Sequence, residues 1–180
     1  MKTRILIAAF LAIGLTSIAQ QRFTTKTGTL IFEASTENFE PVAAKNTSTS
    51  AILKEDGSIA VLALIKGFRF KKELMEQHFN GKFMESDTYP KAKFSGKVEN
   101  FDSQTLSDTA QEYVVKGTLS IHGIDKPVES TIYLSKDASG LLKLTSKFSV
   151  AVADFDIAVK DKIAKKIAKT VNVEVDLSLE

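Results

Sequence analysis

The last ten residues alternate without a break. Val171, Val173, Val175, Leu177 and Leu179 are interleaved with Asn172, Glu174, Asp176, Ser178 and Glu180. In an extended chain successive side chains leave on opposite faces, so this segment has one apolar face and one wet face. A helix cannot use that pattern. The apolar face needs a second layer, or the inside of a barrel, to cover it. The same period recurs upstream. Ala92, Phe94, Gly96 and Val98 oppose Lys93, Ser95, Lys97 and Glu99. Tyr113, Val115, Leu119 and Ile121 share a face with Gly117, against Lys116, Thr118, Ser120 and His122. Val128, Ile132 and Leu134 alternate with Glu129, Thr131 and Tyr133, and Leu142, Leu144, Phe148 and Val150 oppose Lys143, Thr145, Lys147 and Ser149.

Three further strands are predicted in GTLIFEAST, TSTSAILK and SIAVLALIKGF. The last is apolar at every position from Ile59 to Ile65 and is expected to be covered on both faces. Asp56-Gly57, Asp102-Ser103 and Ser139-Gly140 mark turns. About eight strands with short connections predict an all-β fold, a sandwich or an up-and-down antiparallel barrel. Two short helices complete it. KKELMEQHFNGKF carries Leu74, His78 and Phe79 near one face, with Asn80-Gly81 able to end the helix. KDKIAKKIAKT sets Ile163 and Ile167 four apart among lysines, a short basic amphipathic helix.

The first nineteen residues follow other rules. Lys2 and Arg4 precede an apolar run from Ile5 to Leu15, and Ser17-Ile18-Ala19 supplies small residues at a cleavage position. That is the layout of a secretory signal peptide, predicting export with Gln20 as the new first residue and 20–180 as one domain. The run is shorter than the roughly 20 residues a membrane-spanning helix needs. The whole chain carries 24 basic and 22 acidic residues. Without Lys2 and Arg4 the product is near neutral, with no general attraction to nucleic acid. Cysteine is absent, which removes disulfides, thiolate metal sites and cysteine nucleophiles together.

Candidate chemistry is sparse. His122, Asp125 and Lys126 lie close in sequence, but Gly123 suits a turn and Pro127 suits the start of a strand, so the segment reads as a hairpin corner. No GxSxG elbow, GxGxxG loop or phosphate-binding loop accompanies it. Two histidines, His78 and His122, do not make a zinc or copper site. Asp154 and Asp156 lack the glycine and closing glutamate of a calcium loop. No metal or cofactor is expected, and no enzyme. The twelve phenylalanines fit either an ordinary aromatic core or the lining of an apolar cavity, since an eight-stranded barrel is just wide enough for one small ligand. The lysine cluster of Lys162, Lys165, Lys166 and Lys169 is either a solvated face or a contact for anionic lipid head groups.

Two long stretches add a likeness. MESDTYPKAKFSGKV (residues 84–98) and YVVKGTLSIHGIDKPVEST (residues 113–131) resemble the YceI-like family of exported, lipocalin-like polyisoprenoid-binding proteins. The resemblance implies an extended antiparallel barrel of about eight strands, a helix near one end and an apolar interior that accepts an isoprenoid chain. It also implies that IHG..KPV is a hairpin and not a catalytic set. The N-terminal third lacks the family's usual His-Ser start, and VAVADFDIAVKD lacks its usual arginine, so no head-group-binding residue is carried over.

The expectation is therefore a non-catalytic exported barrel enclosing a lipid-like ligand, an isoprenoid, quinone or fatty-acyl chain. Its interior candidates are Phe94, Val115, Leu119, Ile132 and Phe148, each on the apolar side of an alternating strand. The alternative is a structural or stress-related envelope protein with a filled barrel that acts through a protein partner.

Overall fold

The computed structural model describes residues 21–37, 39–159 and 165–180. The alternating segments become β1 (Arg22–Glu33), β2 (Ala43–Lys54), β3 (Ser58–Leu64), β4 (Arg69–Phe70), β5 (Lys91–Val98), β6 (Gln111–Ile121), β7 (Ile124–Lys136), β8 (Leu142–Ala151) and β9 (Thr170–Leu179). Every pairing is antiparallel. Eight strands close a ring in the order β1-β9-β8-β7-β6-β5-β3-β2, sealed by β1 against β2, and the two-residue β4 hangs on β2. The ring closes through register shifts in β1 between Thr25 and Leu30. Such bulges bend and coil a strand, as closing a sheet requires.

Burial follows the predicted period. In β9 Val173, Leu177 and Leu179 are buried while Glu174, Asp176 and Ser178 are exposed. One end of the barrel is a packed core. Phe23, Leu53, Ile59, Val98, Val115, Ile132, Leu134, Leu142, Leu144, Leu177 and Leu179 form one buried cluster, with Phe101 and Leu106 from the β5–β6 connection packed against it. Removing this much apolar surface from water, about 25 cal/mol per Å², is the main force holding the ring shut. A second, smaller cluster gathers at the other end around Ala44, Ala63 and Phe68, with Phe32, Phe70 and Phe79 against it.

Among the described residues one α-helix, α1 (Glu73–His78), is present, and it runs into a π-helical turn (Phe79–Phe83). Asn80-Gly81 lies inside that turn and does not end it. Leu74, placed on the inner face by the sequence pattern, is 61% exposed, and Phe79 makes the contact with the barrel. The β3 segment is also less enclosed than expected. Ile59, Ala63 and Ile65 are buried, but Ala60 is exposed and Leu64 is 46% exposed, so β3 has one inner and one outer face like its neighbours. The expected basic helix fails where it can be seen. Residues 160–164, with Lys162, lie outside the described residues, and Lys165–Lys169 form turns and bends leading into β9.

The ring is unevenly paired. β7 meets β8 only from Ile132↔Ser146 to Lys136↔Leu142. Beyond that point β7 continues back to Ile124 with partners on β6 alone, and β8 runs on to Ala151 with partners on β9 alone. The wall therefore forks. At the fork the Ser146 hydroxyl donates to the Thr131 carbonyl at 2.7 Å and lies 3.4 Å from the Ser130 hydroxyl. A side chain thus takes the acceptor left by the departing strand. Pro127 does not open β7; it is the fourth residue, paired with Thr118. In this register its missing N–H points away from β6, into the gap, where no ladder bond is lost.

Candidate functional site: the lumen beside the fork

The hairpin at residues 121–124 is a two-residue loop with φ of 52° at His122 and 78° at Gly123. Positive φ at both positions is the type I′ signature, the turn whose twist matches paired strands. A Cβ on Gly123 would stand 2.7 Å from Tyr89 Cε1, so glycine is required there for space as well as for backbone. The hairpin reading of the segment is correct, but His122 is no exposed strand residue. Its ring packs 4.5 Å from the Tyr89 ring. Its Nδ1 lies 3.2 Å from the Phe155 carbonyl, which can only accept, so Nδ1 carries the proton. Nε2 is buried without a partner. Asp125 and Lys126 leave β7 on opposite faces, so the three residues do not converge on a reacting centre. Among the described residues no three His, Cys, Asp or Glu side chains cluster as a metal site.

Through Phe155, His122 holds a cap. The 3-10 turn Val152–Phe155 touches both β7 and β8, and Phe155 is 2% exposed. It sits where the two strands have parted, and Asp156, at φ 50°, turns the chain away from the cap. The side chains that face inward beside the gap are half-buried and mainly apolar, Ile121, Val128, Phe148, Val150 and Val171, with Lys126 on the same face of β7. Solvent reaches them although they sit on the inner face. Inward polar groups are few. Asn46 is fully buried and satisfied, donating to the Leu64 carbonyl at 3.0 Å and accepting from Ser48 N at 2.8 Å. Thr49 is fully buried with its hydroxyl unpartnered.

The far mouth is closed by aromatic rings. Phe32 stacks on Phe79 with centroids 5.3 Å apart, and Phe68 and Phe70 lie 5.7 and 5.1 Å from Phe79. Asn46 ties β2 to the β3–β4 connection that carries Phe68. The helix expectation placed Phe79 on the inner face correctly; nothing in the sequence pattern showed that four phenylalanines from two strands, the β3–β4 connection and the π turn would meet.

All five interior candidates point inward, in two environments. Val115 and Ile132 are inside the packed core, at 5% and 3% exposure. Phe94 packs against that core with its ring over Gly96 and Gly117, where a Cβ on either glycine would stand 2.8 Å from Phe94 Cζ. Leu119 is buried and Phe148 is half-buried at the gap. Two recesses, of about 620 and 540 Å³, are lined mainly by outward-facing side chains of the barrel wall, so space for an enclosed ligand rests on the half-buried inner residues and not on either of these.

A family model for the YceI-like domain matches residues 14–179. The chain belongs to the YceI-like family. Solved structures similar to this YceI-like chain share its fold at low identity. A polyisoprenoid-binding domain from Saccharophagus degradans, implicated in plant cell wall breakdown, superposes with a TM-score of 0.78 at 15% identity, covering 89% of this chain and 98% of that one. Burkholderia cenocepacia BcnA gives 0.69 at 16% identity, over 84% and 96%. The Campylobacter jejuni YceI protein gives 0.54 at 19%, over 99% and 98%. No curated protein sequence matches the chain.

Proposed function

We propose that this YceI-like barrel is an exported, non-catalytic carrier that encloses an apolar, lipid-like chain, of the isoprenoid, quinone or fatty-acyl type. The observation that carries the reading is the fork between β7 and β8, with half-buried apolar side chains on the inner face beside it. The family and the polyisoprenoid-binding neighbour support the ligand class. A long chain needs little polar recognition, because each buried CH₂ contributes about 0.8 kcal/mol. Phe148, Leu119 and Phe94 lie toward the part of the lumen such a chain would enter, and Val115 and Ile132 form its floor. Export rests on the basic-apolar-small pattern of residues 1–19.

Organic extraction of protein purified from its producing cells, followed by mass spectrometry, tests the reading. One lipid class recovered in stoichiometric amount supports it. Lipid-free extracts, with no rise in melting temperature across isoprenoids, quinones and fatty acids, would refute it in favour of a filled barrel that works through a protein partner, since any ligand bound only by the folded state must stabilise that state.

A further inference from the structure

The charges on the barrel are not evenly spread. β1, β2, β3 and β5 carry seven cations, Arg22, Lys26, Lys45, Lys54, Lys91, Lys93 and Lys97, against one carboxylate, Glu33. The other half of the ring, β6 to β9, carries five cations and five carboxylates. These four basic strands are contiguous, in the order β5-β3-β2-β1. All seven cations are exposed, and among the described residues none is in an ion pair, whereas Lys116, Lys143 and Lys147 on the other half are each paired with an acid.

The register assembles the outer face of these strands into rows. Arg22 lies beside Lys54, which lies at the hairpin leading to Ser58, and Ser58 lies beside Lys97. Next come Thr24, Ile52, Ala60 and Ser95, then Ser50, Leu62 and Lys93, then Leu64 and Lys91. Strand spacing near 4.8 Å and a two-residue repeat near 6.7 Å make this a patch of about 15 by 20 Å. Its centre is apolar: Ile52, Ala60 and Leu62 floor an open recess of about 540 Å³ edged by Arg22, Lys26 and Lys93. Leu64 projects beside it at 46% exposure. Asp56 at the β2–β3 turn lies close enough to Lys54 and Lys97 to feel their charge, and Lys45 shares a separate recess with Glu174 and Asp176, so among the described residues the cations left unpaired around the apolar centre are Arg22, Lys26, Lys91 and Lys93.

We propose that this outer wall, β1-β2-β3-β5, docks on a bilayer surface rich in anionic phospholipid. Unopposed cations around exposed aliphatic side chains are what an interfacial membrane site needs: charge for the phosphates, apolar atoms for the acyl boundary. Lysines dispersed over four strands fit head groups that can rearrange laterally. A protein partner would have to hold carboxylates at matching fixed positions, and a nucleic acid backbone offers Ile52, Leu62 and Leu64 nothing to bury against. The face is separate from the lumen, and the inference stands whether or not the barrel holds a lipid.

The chain has no cysteine, so single labels can map the docked face without disabling it. Ser95→Cys on this wall and Ser149→Cys on β8, across the ring from it, each carry an environment-sensitive dye. With phosphatidylcholine vesicles containing 30% phosphatidylglycerol at low salt, the Ser95 label is expected to blue-shift and the Ser149 label to stay unchanged; neither should respond to phosphatidylcholine alone. Cosedimentation gives the second readout. Lys26→Gln with Lys93→Gln should weaken binding ten- to thirty-fold, at about fivefold per lysine. Lys143→Gln with Lys147→Gln, the same charge change on the other wall, should weaken it far less, and 0.5 M salt should abolish it. No binding to the anionic vesicles, equal losses in the two pairs, equal shifts at both labels, or a Ser95 shift that needs only a second copy of the protein and no vesicles would overturn the proposal.

Discussion

Two buried-looking side chains should behave in opposite ways if one end of the barrel is core and the other is lumen. Leu134 is fully buried in the packed cluster. Phe148 points inward but is half-buried, at the gap where β7 and β8 have separated. Leu134→Ala removes three carbons from a site that cannot collapse, since Leu53, Leu142 and Leu177 of the same cluster are themselves fully buried. It should cost about 3–5 kcal/mol. For a domain of this size that lowers the melting temperature by about 6–20 °C, at roughly 2–4 °C per kcal/mol. Phe148→Ala deletes a larger side chain, yet solvent already reaches that ring, so about half of the usual 3–5 kcal/mol for a buried phenylalanine is lost. The ligand response should run the other way. Isoprenoid added to Leu134→Ala should still raise its melting temperature; added to Phe148→Ala it should do so much less, and in Phe148→Glu not at all. Paired melts with and without lipid decide the matter. A Phe148→Ala variant that is as destabilised as Leu134→Ala and keeps the full lipid shift would refute the division into core and lumen.

Other outcomes follow from the same geometry. Gly123→Val should destabilise by more than 2 kcal/mol, because it forces a β-branched residue to positive φ against Tyr89, while His122→Ala should cost about 1–2 kcal/mol through the lost contact with Phe155, both read by urea unfolding. Leu177→Asp should cost several kcal/mol by burying a carboxylate, whereas Asp176→Ala, which loses only a surface contact with Lys143 at 3.6 Å, should change stability by less than about 0.5 kcal/mol. Asp137 accepts hydrogen bonds from the Ser139 hydroxyl and the Ser139 and Leu141 amides, which hold its carboxyl below the ordinary aspartate value. The contribution of those bonds is therefore complete above the ordinary value and is lost as pH falls through the lowered one, so the Ser139 and Leu141 amide resonances should titrate together only in that acid range.

The alternation made the ring legible. A period of two in β5 to β9 named the inner face residue by residue, and the structure buries Val98, Val115, Leu119, Ile132 and Leu144 as that pattern requires. Local signals failed where tertiary structure overrode them. Leu74 looks like the anchor of α1, yet the π turn rotates Phe79 into that role. Lys165 to Lys169 has helical spacing, yet the chain there must turn into β9, and the Lys165 carbonyl accepts instead from the Thr36 hydroxyl at 3.0 Å. The fork could not be read from periodicity at all, because a strand alternates whether or not it has a neighbour. Pro127 was its one local trace: a proline inside an alternating strand marks an edge.

That proline has a consequence for how the molecule keeps to itself. Where β7 and β8 part, each offers bare backbone donors and acceptors, the kind of edge that recruits a strand from another molecule and seeds aggregates. Pro127 deletes a donor in the middle of the β7 edge, and Asp125 and Glu129 charge the outer face on either side of it. A wall that must stay open is thereby made a poor template. Replacing Pro127 with valine would restore a continuous edge, and the barrel would be expected to exchange solubility for self-association while each copy kept its own fold.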